Sequence, residues 1–189
     1  MVWKKSLCCV IMLLVLAGCG KGEAPKQAAL DLRTALLEAG GCTFTAEITA
    51  DLGNRVYDFS VSCDYDAGNR VKVQVVEPKE IAGINAVVSG NGAAVEFEDM
   101  ALDFGTMAGG NVSAMEAPWL LAECWSGAYI SAAGADGELY RITYLHGYDE
   151  KELVVDTWLD SAGNPIRSEV AYDGGRCLSL VLTQFQLKG

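Results

Sequence analysis

Residues 42–63 read Cys-Thr-Phe-Thr-Ala-Glu-Ile-Thr-Ala-Asp-Leu-Gly-Asn-Arg-Val-Tyr-Asp-Phe-Ser-Val-Ser-Cys, and this stretch decides the fold. Cys42, Phe44, Ala46, Ile48 and Ala50 alternate with Thr43, Thr45, Glu47 and Thr49. A period of two puts apolar side chains on one face of a strand and polar ones on the other. Tyr57, Phe59, Val61 and Cys63 repeat the pattern against Asp58, Ser60 and Ser62, and Asp51-Leu52-Gly53-Asn54 supplies the hairpin turn between the two runs. Setting Cys42 opposite Cys63 pairs Phe44 with Val61, Ala46 with Phe59 and Ile48 with Tyr57, so one face collects the apolar residues. A slip of one residue would turn one strand's apolar side to water. This register predicts a Cys42–Cys63 disulfide, which would close a loop of about 20 residues and contribute on the order of 3 kcal/mol.

Upstream of the hairpin, Ala28 to Ala39 carries Ala29, Leu32 and Leu36 on one helical stripe and ends at Gly40-Gly41. Gly20 to Gln27 is a short polar tether that includes Pro25. Ahead of it, Lys4 and Lys5 precede an apolar run from Val10 to Leu16, then Ala17-Gly18-Cys19. The run falls far short of the roughly 20 residues that span a bilayer and reads as the core of an export signal. Small residues directly before Cys19 make it a lipoprotein signal: residues 1–18 are removed and Cys19 is acylated. Several acyl chains together anchor stably where one does not. The expected organisation is a signal at 1–18, a lipidated tether at 19–27 and one domain at 28–189, held outside the cytoplasm on the cell membrane.

Downstream the chain reads almost wholly as strands. Val71, Val73 and Val75 alternate with Arg70, Lys72 and Gln74 until Pro78, and Asn85–Ser89 and Ala93–Glu98 flank Gly90-Asn91-Gly92. A short piece, Ala101 to Phe104, follows. Gly105 to Asn111 is Gly-rich but lacks the Lys and Ser/Thr of a phosphate loop, so it reads as a connection. Ala117 to Trp125, with Pro118 near its first turn, predicts a short helix capping the sheet. Four longer strands close the chain: Gly137–His146, Glu152–Leu159, Pro165–Tyr172 and Arg176–Leu187. The last is apolar on both faces (Leu178, Leu180 and Leu182 against Cys177, Val181 and Phe185), and the helix before Cys42 is the expected cover.

Loss of residues 1–18 leaves 171 residues with 12 basic against 25 acidic side chains, a net charge of −13. That length suits one core, and that charge excludes a nucleic-acid footprint. Besides Cys19, the mature chain keeps Cys42, Cys63, Cys124 and Cys177. Cys124 and Cys177 either pair by elimination or stay as small buried thiols. No cofactor or metal is implied, because these cysteines are too widely spaced for a compact zinc site and the acidic runs Glu96-Phe97-Glu98-Asp99 and Asp149-Glu150 lack a calcium-loop pattern. His146 is the single histidine, at a strand end, and no Gly-x-Ser-x-Gly motif supplies a nucleophile. These residues point away from catalysis.

The order of helix, hairpin, strand ending in Pro78, Gly-turn hairpin, short helix and final meander resembles the lipoprotein-carrier superfamily of LolA and LolB. The local match is Val154-Val155-Asp156-Thr157-Trp158-Leu159-Asp160, then Gly163-Asn164-Pro165-Ile166-Arg167, then Gly175-Arg176 leading to Phe185; Ser89-Gly90-Asn91-Gly92 before Phe97 is a looser one. The resemblance implies an α+β fold in which a strongly curved antiparallel sheet, an open half-barrel, wraps around helices with an apolar cavity between. Phe44, Ile48, Tyr57, Phe59, Val71 and Val73 would then face inward beneath Leu32, Leu36, Trp119 and Leu120. Two departures stand out: the family's shuttle is soluble whereas this chain is lipidated, and the family's aromatic-aspartate string is replaced by Glu96-Phe97-Glu98-Asp99. The chain is also similar in plan to Gram-positive lipidated relatives such as the germination lipoprotein of spore-forming clostridia, which acts on a cell-wall amidase. The resemblance thus implies either a lipid or acyl ligand or a protein partner in the cell envelope. An apolar cavity of about 300 Å³ or more favours the ligand, and a filled interior favours the partner.

Overall fold

The stretch at 42–63 forms a hairpin, but two residues out from the expected register. The computed structural model describes residues 23–67, 70–89, 92–96 and 106–189. The export signal, Cys19 and Ala101–Phe104 lie outside the described residues, as do Gly90-Asn91 and Phe97-Glu98-Asp99. Strand β1 (Gly41–Asp51) pairs antiparallel with β2 (Val56–Asp66), setting Phe44 opposite Cys63, Ala46 opposite Val61 and Ile48 opposite Phe59. Cys42 stands opposite Tyr65, so Cys42 and Cys63 are diagonal neighbours rather than a facing pair. Diagonal residues lie about 7–8 Å apart, beyond ordinary disulfide reach. Cys42, Cys63, Cys124 and Cys177 are all free thiols in the structure, so the expected Cys42–Cys63 bond is absent, and of the two alternatives for Cys124 and Cys177 it shows the unpaired one, with Cys124 buried and Cys177 half-buried.

Gly41 starts β1 at φ +138°, and a Cβ there would collide with the backbone oxygen of Tyr65. Only glycine lets the chain turn from helix into sheet this close to β2. Ten strands form one antiparallel sheet in the order β5-β4-β3-β2-β1-β12-β11-β10-β9-β8. Its members beyond the first hairpin are β3 (Arg70–Glu77), β4 (Asn85–Ser89), β5 (Gly92–Glu96), β8 (Tyr129–Asp136), β9 (Leu139–His146), β10 (Leu153–Leu159), β11 (Pro165–Tyr172) and β12 (Gly175–Leu187). The first and last strands meet at the centre, and β5 and β8 are the open edges. The Gly-rich stretch expected as a plain connection instead holds a small ladder, β6 (Thr106–Met107) with β7 (Val112–Ser113).

Among the described residues, two α-helices join the sheet's apolar face in one core. Helix α1 (Glu23–Glu38) starts five residues earlier than expected, with Pro25 buried inside it, and buries Ala29, Leu32 and Leu36. Helix α2 (Ala117–Ser126) is a plug rather than a lid: Ala117, Pro118, Leu120, Leu121, Ala122, Cys124 and Trp125 are all buried. Trp125 meets Phe44 and Phe185 edge-on, with ring centres 5.6 and 6.0 Å apart. Its indole N–H donates to Thr157 Oγ1 at 3.1 Å, and Thr157 in turn bonds Ser168 at 2.8 Å. Those buried hydroxyls are therefore satisfied by one another and by Trp125.

Strand β12 does not need the cover that its two apolar faces suggested. Leu178, Leu180 and Leu182 point into the core, while Val181 is 48 % exposed on the outer face. Gln184 then adopts φ +54°, and the pairing with β1 jumps from Thr45–Thr183 to Thr43–Gln186. This bulge shifts the alternation by one, so Phe185 rather than Gln184 packs on the core.

Candidate functional site

The inward residues named from the sequence are mostly ordinary core. Leu36, Phe44, Ile48, Val71, Val73 and Leu120 are buried to 2 % exposure or less, and Leu32 and Phe59 are also buried. Tyr57 is a correction: it stands at the hairpin end, past the packed part of β2, and is 43 % exposed. Trp119 is half-buried and packs against the core. Side chains of the protein itself thus fill the interior at these positions. Ile48 and Phe59 do border a groove of about 460 Å³, but Glu47, Asp58 and Glu77 wall it, which is hostile to an apolar occupant.

A larger groove, about 890 Å³, runs between the first half of α1 and the β8–β9 edge. Lys26, Leu30 and Arg33 supply the helix wall at helical spacing, on a stripe beside the buried one. Gly127 to Ile130 and Leu145 to Tyr148 supply the sheet wall, with Glu152 at its end. Leu30, Ala128, Tyr129, Ile130, Leu145 and Tyr148 make most of this lining apolar.

Arg33 holds the groove's base. Its Nε donates to the Trp125 carbonyl at 3.1 Å, and its Nη2 donates to the carbonyls of Ala128 at 2.7 Å and Cys124 at 3.4 Å. The last carbonyls of a helix are orphaned and carry its negative dipole end, and α2 has no basic residue in its last turn. A guanidinium arriving from α1 satisfies the Trp125 and Ala128 carbonyls, adds a long bond to the Cys124 carbonyl that the Ala128 N–H already reaches, and so fixes where β8 starts. At the other wall, Gly147 sits at φ +90°, where a Cβ would meet the Lys151 carbonyl oxygen at 2.7 Å. That glycine closes the β9–β10 turn and projects Tyr148 into solvent.

His146 borders both this groove and a smaller one of about 270 Å³ lined by Val112, Trp119, Leu120 and Leu153, with Asn111, Glu116 and Lys151 at its margin. Its ring stands edge-on to Trp119 at 5.8 Å, and burial lowers its pKa, favouring the neutral ring. The Trp119 indole N–H is buried with no partner among the described residues. Burial pushes the Cys42 thiol up to about 12 and raises Cys63 and Cys124 as well, which keeps them protonated and poorly nucleophilic. Among the described residues no group of three His, Cys, Asp or Glu could hold a metal ion, and no helix is long and apolar enough to cross a membrane.

Sequence reasoning missed β8 and with it Tyr129 and Ile130. Ala132-Ala133-Gly134-Ala135 carries little strand preference. The available signal was Asp136-Gly137, a hairpin turn pair just ahead of the Leu139 strand.

No protein-family model matches the chain, and no curated protein matches it. Among solved structures, a LolA superfamily protein from Nitrosomonas europaea is similar at 11 % identity and TM-score 0.42, covering 85 % of this chain and 94 % of that one. LprF from Mycobacterium bovis is similar at 14 % identity and TM-score 0.36, covering 90 % and 99 %. A conserved protein from Thermus thermophilus gives 9 % identity and TM-score 0.45, covering 85 % and 88 %.

Proposed function

We propose that this chain is a non-enzymatic lipoprotein, anchored through acylated Cys19 on the outer side of the cell membrane, that holds an apolar, lipid-like ligand in the groove between α1 and the β8–β9 edge. The observation that carries this reading is the groove itself. At about 890 Å³ it is well above the roughly 300 Å³ at which ligand sites begin, and its wall is mainly apolar. The interior on which a half-barrel reading would place the ligand is filled, so the ligand lies at the flank of the core. Lys26, Arg33 and His146 sit among the apolar groups and would orient a polar head. The test is binding of a palmitate-length fluorescent fatty acid to the purified chain. Saturable binding that Ile130→Asp abolishes supports the reading; equal, non-saturable binding by both chains contradicts it.

The second reading is a protein partner that pairs with β8. This edge strand carries no charged residue from Tyr129 to Ala135, and its outward backbone groups are unpaired in the sheet. A stoichiometric envelope protein recovered with the chain, lost on Ala133→Pro and retained with Ile130→Asp, would favour it over the ligand.

A further inference from the structure

We infer that the end of the sheet bearing Tyr129 and Tyr148 is the face on which the anchored chain rests against a zwitterionic lipid surface; this rests on the anchor reading above. The argument begins with chain length. Helix α1 starts at Glu23, four residues after Cys19, and an extended chain spans at most about 3.6 Å per residue. The start of α1 therefore stays within about 15 Å of the anchor.

Lys26 and Leu30, in the first turns of α1, share the large groove with Tyr129 and Tyr148, while the helix's far end leads through Gly40 into Gly41 at the start of β1. The anchor thus emerges at one particular end of the sheet. Strand register identifies what else is there. Tyr129 pairs with Leu145, Leu145 with Val154, Val154 with Ala171 and Ala171 with Arg176, so these form a row at one end of five strands. Two residues inward from Arg176, Leu178 faces Ala50, which faces Tyr57.

Exposed apolar groups gather at that end. Tyr148 is 86 % and Tyr129 70 % exposed, and Val56 and Tyr57 extend the set. Tyrosine, with an apolar ring and a polar tip, suits a bilayer interface. The opposite end exposes Leu37 and Leu187 but no aromatic ring of the same exposure, and it carries ion pairs: Lys188 bridges Asp64 and Asp66, and Arg70 pairs with Asp66. Asp149, Glu152 and Asp173 lie at the tyrosine end beside Lys26, Lys151 and Arg176, a mixed charge without the basic excess that anionic lipid would select, and this is why the surface is assigned as zwitterionic.

Hydroxyl-radical footprinting of the acylated chain on phosphatidylcholine vesicles tests this, compared with the Cys19→Ser chain beside the same vesicles. Tyr140, at the other end of β9, is the internal control. Several-fold protection of Tyr129 and Tyr148 with Tyr140 unchanged is the expected result. Equal labelling of the two chains, or protection of Tyr140 instead, overturns the inference while leaving the anchor and ligand readings intact. Intact mass reports acylation separately, and a chain without acyl mass overturns both the anchor and this face.

Discussion

His146 is the one residue of the site whose charge can change near neutral pH. Burial against Trp119 lowers its folded pKa, so the unfolded chain takes a proton before the folded one does. The sign follows: no cost above the unfolded value near 6.5, and stability that declines as pH falls below it toward the folded value. The expected outcome is an imidazole NMR titration with its midpoint below 6.5, and a His146→Gln chain whose stability falls less between pH 7 and 5. Arg33 makes the other local prediction. Truncation to Ala strands the Trp125 and Ala128 carbonyls at and just past the end of α2, while the Cys124 carbonyl keeps the Ala128 N–H, and should cost about 2–4 kcal/mol in denaturant unfolding. Leu36, with 0 % exposure, should lose about 2–5 kcal/mol on Leu36→Ala by the same measurement. Leu36's burial was legible from its stripe with Ala29 and Leu32. Arg33's role was not, because its partners lie more than 90 residues away in the chain.

At the scale of elements, alternation told which face of each strand is buried and could not tell the register. A shift of two residues keeps every apolar side chain on its face, so the pattern is equally content with Cys42 opposite Cys63 or opposite Tyr65. The turn decides: Leu52 N–H bonds the Arg55 carbonyl at 2.9 Å, and Asp51 pairs with Val56. Strand β12 shows the complementary failure: a single bulge at Gln184 turns Phe185 inward, so the step of three from Leu182 to Phe185 marked a break in the alternation and not a second apolar face. Strand β8 was silent because its middle is alanine and glycine, and its place is set by β9 and by Arg33 rather than by its own preference. Gly41 provides the test of the helix-to-sheet joint. Gly41→Ala should cost on the order of 2–4 kcal/mol by strain and collision, and more than Gly53→Ala, whose φ is also positive but whose Cβ would meet open space. Thermal and urea unfolding of both variants measures the difference.

For the whole molecule, pairing β1 with β12 at the centre ties the opening hairpin to the closing meander, and Lys188 adds ion pairs to Asp64 and Asp66 beside that seam. Hydrogen bonds from Lys188 and Arg70 hold the Asp66 carboxyl down to about 2. A lowered carboxylate pKa stabilises above the unfolded value, near 4, and that contribution is lost as pH falls from there toward 2. The Lys188→Ala chain should therefore show less change in stability across that acid window, with the difference reduced in high salt because the pair is partly exposed to solvent. The antiparallel α+β plan was legible from period-two runs and turn residues alone. The site was not, because it is the flank left open when α1 and an edge strand without apolar alternation come together. Native mass spectrometry of the chain purified from membranes tests the central claim most directly. The account predicts a co-purifying lipid that is retained by the unaltered chain and lost from Ile130→Asp at unchanged fold; a lipid-free unaltered chain, or one whose lipid survives that substitution, would contradict it.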